Sequence, residues 1–264
     1  MERPEIDLRS ASVARIFDYY LGGAHNFAVD RVLAEAAAKL MPELPRMMHL
    51  HRRFLARAMR YVVDQGVTQF LDLGSGLPTP GGSLEVARRL DPFSRVVHVD
   101  IDPAVEAHGR SLLDSTDSAV VVGDMCEPDV ILDHPETRRL LDFDRPIGLL
   151  LVGVLDFVGG DVDLPAVMAR YRDRVAPGSH IVLTNFSVDG GLEEYQRTEQ
   201  LYRDNTTIDF HPRSAAEVTE LLAGFELAEP GVVDVSLWRP EAVVEDLDEH
   251  PERSAVHVAV GRKP

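Results

Sequence analysis

The chain has a single cysteine, Cys126, so no internal disulfide can form and no second thiol can share a metal with it. That scarcity suits a reducing compartment, with Cys126 itself a small buried apolar residue. No apolar run reaches the roughly eighteen residues needed to span a bilayer. The opening MERPEIDLRS also lacks the basic-then-apolar layout of a secretory signal. Both absences lead to the expectation of a cytoplasmic protein with no membrane partner. Basic residues are in deficit: 27 Lys and Arg stand against 44 Asp and Glu, for a net charge of −17. Such a surface repels a phosphate backbone, so no nucleic acid is expected as partner. The acid is partly gathered in EAVVEDLDEHPE (Glu241 to Glu252), which reads as a solvated loop. There is no HExxH, and His49 and His51, two apart, would point to different faces of a helix, so no metal site is expected. No GxSxG elbow for a serine nucleophile occurs, and there is no internal repeat or low-complexity segment.

What is present is 45% apolar content over 264 residues, ample for a folded core. The first third is helical in spacing. Val13, Ile16, Phe17 and Tyr20 share one face, and Leu50, Phe54, Ala58, Tyr61 and Val62 repeat the pattern in a longer helix. Pro45 suits the first turn of that helix and Gly66 its exit. From Thr68 onward, short apolar runs alternate with amphipathic helices, the signature of βαβ units and a parallel sheet. The runs are TQFLDLG, RVVHVD, AVVVGD, IGLLLVGVL (Ile147 to Leu155) and HIVLTNF, continuous in apolarity because both sheet faces are covered. FELAEPGVVDV and SAVHVAVGRK read as two late strands joined without a helix, hence antiparallel. The expected fold is a doubly wound, Rossmann-like α/β unit with a mostly parallel sheet. Residues 1–66 would form a helical cap and residues 67–264 the sheet domain, compact as one body.

Three strand ends carry chemistry. FLDLGSGLP (Phe70 to Pro78) is a strand running into Gly74, Ser75 and Gly76, where the absence of a Cβ permits a tight turn and close approach of a ligand to the main chain. A pyrophosphate fingerprint would place a third glycine at position 79, where this chain has Thr79, so a dinucleotide is disfavoured. The second strand ends in Asp100, placed to accept from both hydroxyls of a ribose, followed by Ile101, which could cover one adenine face. Asp102, immediately before Pro103, is the cap of the next helix. The third strand ends in Gly123, Asp124 and Met125, with Asp124 placed for an adenine amino group. In a doubly wound sheet these ends converge on one crevice, so they foretell a single adenosine pocket. DYYLGGAHNFAVDR (Asp18 to Arg31) combines aromatic residues, paired glycines and an asparagine ahead of the first strand. It reads as a lid over the carboxyl edge of the sheet, with Gly22 and Gly23 as a hinge and Tyr20, Asn26 and Phe27 bordering the substrate. Helix termination at Gly22 is the simpler alternative.

The succession FLDLGSGLP, VVHVDID, VVGDM and LLLVGVLDFV resembles the cofactor motifs of class I S-adenosylmethionine (SAM) dependent methyltransferases. With SVARIFDYYLGGAHNFAVDR, VAPGSHIVLTNF and LWRP, nearly the whole chain is similar to a bacterial SAM methyltransferase family once described as a domain of unknown function. The resemblance implies a seven-stranded sheet with an antiparallel last strand, and methyl transfer from SAM to a small-molecule acceptor. It also implies that Gly74, Ser75 and Gly76 lie along the methionine part, Asp100 holds the ribose, Asp124 and Met125 contact adenine, and Val154 and Leu155 flank the sulfonium. Arg52 takes the position from which related carboxyl methyltransferases bind the SAM carboxylate. Where the family has a histidine after the fourth strand this chain has Asp156, which becomes the candidate to assist deprotonation or to bind a cationic acceptor. Two alternatives stay open: an NAD(P)-dependent oxidoreductase, and a protein that binds SAM without turnover.

Overall fold

The computed structural model describes residues 7–112, 116–189, 193–206, 210–240 and 255–264. The acidic stretch Glu241 to Glu252 lies outside them. Three helices come first, α1 (Val13–Tyr20), α2 (Ala28–Leu40) and α3 (Leu44–Asp64). The alternating part follows as β1 (Gln69–Leu73), α4 (Ser83–Leu90), β2 (Arg95–Asp100), α5 (Pro103–Leu112), β3 (Ser118–Val122), α6 (Pro128–Leu132), α7 (Pro135–Leu140) and β4 (Gly148–Leu151). Then come α8 (Leu164–Arg174), β5 (His180–Phe186), α9 (Glu193–Asn205), α10 (Ala215–Leu221), β6 (Glu226–Leu227), β7 (Val233–Asp234) and β8 (Val256–Arg262).

The sheet order is β3-β2-β1-β4-β5-β8-β6, with β7 also on β8. Strands β1 to β5 are mutually parallel, and β8 runs antiparallel between β5 and β6. The expected parallel sheet with an antiparallel final strand is therefore present.

Period-two alternation within each strand sorts the core into two layers. Phe70, Val96, Leu150 and Val182 point to the face covered by Phe54, Ala58 and Val62 of α3 and Ala87 of α4. Their neighbours Leu71, Val97, Leu149 and Ile181 point to the opposite face, against Ile131, Leu140, Met168 and Tyr171. Helix α3 thus packs directly on the sheet, while α1 and α2 pack on each other and on α3. The glycine at Gly148 follows from the register: it sits opposite Phe70, and a Cβ there would come 2.5 Å from the ring.

Two strands are shorter than their apolar runs. The fourth stops at Leu151 because Gly153, at φ 75°, turns the chain out of the sheet into a 3-10 turn at Leu155–Phe157. FELAEPGVVDV divides into β6 and β7 around Pro230, which has no N–H to give a ladder. Helix α2 begins at Ala28 and buries Leu33, Ala34 and Ala37. Trp238 is fully buried, edge-on to Phe54 at 5.4 Å and to Tyr61 at 5.9 Å.

Candidate cofactor-binding site

The carboxyl ends of β1, β2, β3 and β4 open into one cleft of about 480 Å³, roofed by the N-terminal segment and α1. Gly74, Ser75, Gly76, Asp100, Ile101, Asp124, Met125, Val154 and Arg52 all line it. The convergence expected from three separate strand ends is therefore met in space.

Each element has a local cause. Gly74 and Gly76 have φ of 71° and 66°, the left-handed region that glycine enters without strain. At Gly74 the requirement is doubled, because a Cβ would fall 2.2 Å from the side chain of Val154. At Gly76 nothing lies within 4 Å of the Cβ position, so the floor of the cleft is open there. Amides of Gly74 and Ser75 both donate to the carbonyl of Val99, at 2.8 and 3.0 Å, which locks the loop to the next strand.

Asp100 is 9% exposed. One carboxylate oxygen accepts from Gly76 N–H at 2.8 Å and the other from Asp102 N–H at 2.9 Å, leaving a free lone pair on each for a ligand. Burial pushes its pKa up to about 6, against the lowering pull of those two amides. Ile101 stands 64% exposed on the wall, a large apolar surface with nothing yet against it. Asp124 accepts from Cys126 N–H at 2.8 Å, and the carbonyl of Met125 accepts from the Tyr171 hydroxyl at 2.8 Å. The Cys126 thiol, raised to about 12 chiefly by burial, is unreactive.

Arg52, half-buried on α3, donates to Thr79 Oγ1 at 2.8 Å and lies 5.6 Å from the Phe17 ring centroid. Its Nε is buried with no partner. Desolvation lowers its pKa and the nearby Asp72 charge opposes that, so it stays cationic.

Asp102 caps α5 as expected, accepting from Ala104 N–H at 2.8 Å. It has a second role that the sequence did not disclose. Its other oxygen accepts from Ser12 Oγ and faces Arg15 at 3.6 Å, and Arg15 in turn pairs with the fully buried Asp30 at 2.8 Å. The roof over the cleft is tied down beside Asp100.

Other expected site residues lie elsewhere. Leu155 is fully buried and Asp156 is buried beneath the cleft. Neither lines it. Asp156 Oδ1 accepts from Phe186 N–H at 2.6 Å and from Asn185 Nδ2, clamping the turn after β4 onto β5. Burial pushes its pKa up to about 7. Gly23, Asn26 and Phe27 are likewise outside the cleft wall. Asn26 donates to Asp18 Oδ2 at 2.8 Å, Phe27 lies under Arg15 at 5.2 Å, and a Cβ at Gly23 would collide with Asp18. They shape the turn after α1, where Gly22 leaves the helix at φ 76°, the simpler of the two accounts. Tyr20 donates to the Ala34 carbonyl at 2.7 Å and faces a smaller neighbouring cavity.

The sequence reading missed Phe17, Gly153, Phe157 and His51 in the cleft wall. His51 was legible: with Leu44, Met47, Met48 and Leu55 it falls on the apolar stripe of α3, so its side chain had to face inward. No group of three or more His, Cys, Asp or Glu that could hold a metal occurs among the described residues. Nor is any described helix long and apolar enough to cross a membrane.

A sheet of this order, with adenosine-type acids on successive strand ends and no phosphate fingerprint, defines a SAM-dependent methyltransferase fold. The chain belongs to the S-adenosyl methyltransferase family, whose model matches residues 1–264. A methyltransferase candidate from Thermobifida fusca YX is 40% identical, with a TM-score of 0.91 over 98% of this chain and 97% of that one. A DUF574 family protein from Streptomyces avermitilis MA-4680 is 35% identical, with a TM-score of 0.93 over 98% and 100%. The pyocyanin biosynthetic protein PhzM, at 16% identity and a TM-score of 0.51 over 94% and 62%, shares the fold. No curated protein matches the chain. The protein is thus an enzyme that transfers a methyl group from SAM, and the oxidoreductase alternative is set aside.

Proposed function

We propose that the protein methylates a small molecule in the cytoplasm, with the cofactor held by the strand-end residues described above. Asp100 accepts from the ribose hydroxyls, Ile101 covers one adenine face, and Asp124 with Met125 receives the adenine edge. Gly74, Ser75 and Gly76 lie along the methionine chain, Arg52 pairs with its carboxylate, and Val154 borders the sulfonium. The residues fit the group: carboxylates for hydroxyl and amino donors, an apolar wall for a base, an open glycine floor, and a buried guanidinium N–H without a partner.

When bound, SAM supplies a methyl already activated by a positive sulfur. The chain therefore has to hold the acceptor in line and keep water away, and orientation of that kind is worth roughly 7 to 11 kcal/mol where it is well enforced. Residues 1–66 act as the cap that excludes water and residues 67–264 as the binding body. The bonds from Ser12 and Arg15 to Asp102 support a cap that rests on the ribose strand. Asp156 serves as a pin for the turn after β4, in place of acting on the acceptor. The net charge of −17 supports a partner other than nucleic acid.

The observation that carries this reading is Asp100, nearly buried yet with a lone pair free on each oxygen at the cleft. Calorimetry tests it: S-adenosylhomocysteine should bind the wild type and bind Asp100→Ala far more weakly, and NAD should bind neither. Equal affinity of wild type and variant for S-adenosylhomocysteine would overturn it.

A further inference from the structure

Beside the cofactor cleft lies a second, smaller cavity of about 40 Å³. It shares Val13, Phe17, Gly153 and Phe157 with the cleft, so these residues form the gate between the two, and it takes no part of its wall from the strand-end acids. Behind the gate the wall is hydrocarbon and aromatic, from Ile16, Leu44, Met48, Phe186 and Phe210. Among the described residues, no lining side chain carries a charge. The Tyr20 and Tyr202 phenols reach it, but Tyr20 already donates to Ala34 and is paired with Tyr202. An ion placed there would lose its hydration without compensation, whereas an apolar group would gain by leaving water.

The gate is backed by His51. Its ring stands 6.2 Å from Phe17 and 5.6 Å from Phe186, in a continuous aromatic wall that Phe210 extends at 5.1 Å from Phe186. Thr184 Oγ1 accepts from Gly153 N–H at 2.8 Å and lies 2.9 Å from His51 Nδ1. With the threonine hydrogen directed to Nδ1, the ring hydrogen sits on Nε2. That Nε2 is buried without a partner. Burial holds the imidazole neutral, its pKa down to about 3, so it is an N–H donor at working pH.

An unpaired donor on a residue of the cleft wall can select the nucleophile. A neutral amine commits its one lone pair to the attack and keeps none for His51. A hydroxyl oxygen can attack with one lone pair and accept from Nε2–H with the other. We propose, building on the SAM site above, that the small cavity seats the apolar end of the acceptor and that the acceptor is an uncharged, hydroxyl-bearing aromatic molecule. Its ring passes the Phe17–Phe157 gate, and its oxygen stays on the cleft side beside Gly153 and His51. The oxygen forms a bond to the methyl carbon as the carbon–sulfur bond breaks. The electron pair of that bond remains on sulfur, the neutral thioether S-adenosylhomocysteine leaves, and the hydroxyl proton passes to bulk solvent at the open side of the cleft. The cavity itself has room for about three water-sized groups, enough for the far edge of one ring.

The test uses 4-bromophenol with the full chain saturated in S-adenosylhomocysteine. Crystals of that complex should give an anomalous bromine peak between Phe17, Phe186 and Tyr202, and calorimetry should show binding. Leu44→Phe, which fills the cavity, should weaken 4-bromophenol at least tenfold with S-adenosylhomocysteine affinity unchanged within twofold. His51→Phe should weaken 4-bromophenol several-fold and leave bromobenzene unaffected, a split that a purely structural histidine would not give. A bromine peak elsewhere, no binding to the wild type, or equal loss for both probes overturns the inference while leaving the cofactor site intact. Failure of S-adenosylhomocysteine itself to bind overturns the earlier reading instead.

Discussion

Replacing Asp100 by alanine separates the cost of the site to folding from its value to binding. In the free protein the carboxylate is carried at a loss, since burial raises its pKa from 3.8 to about 6. Two units correspond to about 3 kcal/mol. That value already includes the lowering pull of the Gly76 and Asp102 amides; alanine relieves the cost but leaves both N–H groups without their acceptor, at about 1–3 kcal/mol each where buried. These contributions nearly cancel, so Asp100→Ala should move the Tm of the free protein by only a few degrees. Binding is another matter. Two ribose hydroxyls donating to a carboxylate are worth about 1.5–3 kcal/mol each, part of which solvent restores in the variant. A loss of ~3–4 kcal/mol is expected, a two- to three-order rise in Kd for S-adenosylhomocysteine. Calorimetry at pH 7.5, with Tm measured in parallel, reads both quantities. A rise under fivefold with Tm unchanged would refute the ribose assignment, and a collapse in Tm would refute the ledger for the free state.

The same carboxylate predicts a pH dependence. Binding favours the ionised form, so complex formation below the free-state pKa releases a proton, and affinity should fall toward tenfold per pH unit beneath about pH 6 and be flat above pH 7, in wild type but not in Asp100→Ala. Arg52→Met should weaken S-adenosylhomocysteine ten- to a hundredfold, the worth of a charge-assisted pair at about 1.5–3 kcal/mol, yet leave adenosine, which lacks the carboxylate, unchanged. Gly74→Ala should cost about 2–4 kcal/mol in chemical denaturation, from left-handed strain and overlap with Val154, and a second Val154→Ala change should recover only the overlap part. Asp156 keeps its proton to about pH 7 in the folded chain but would lose it near 3.8 unfolded, so its stabilising contribution is full below pH 3.8 and lost as pH rises to about 7. Asp156→Asn should therefore gain Tm over wild type between pH 5 and 8 with S-adenosylhomocysteine affinity unchanged, whereas Asp156→Ala, which strands the Phe186 amide, should lose about 1–3 kcal/mol.

Much of the cofactor cleft was legible residue by residue. The apolar runs, the Gly74 to Gly76 turn, the acid at Asp100, the cap at Asp102 and the exit glycines at Gly22 and Gly66 each depend on a neighbourhood of a few residues. Period-two alternation, φ preference and capping chemistry act over that range. The parallel connections then bring the strand ends to one edge without further information, which is why three strand ends distant in the chain could be assigned to a single pocket.

What the chain could not disclose were contacts between segments far apart. His51 meets Thr184 across 133 positions, and that meeting leaves its ring hydrogen on Nε2. Asp156 looked like a base beside the fourth strand, but the geometry of Phe186 and Asn185 turns it inward. Tyr20, Asn26 and Phe27 shared a segment without sharing a site, since the turn after α1 sends the first to the side cavity and the others to Asp18 and Arg15. Local pattern decided which elements form and where their polar ends fall. Packing of one element on another decided which side chains face the cleft, because direction, burial and charge state belong to no residue until its neighbours are in place.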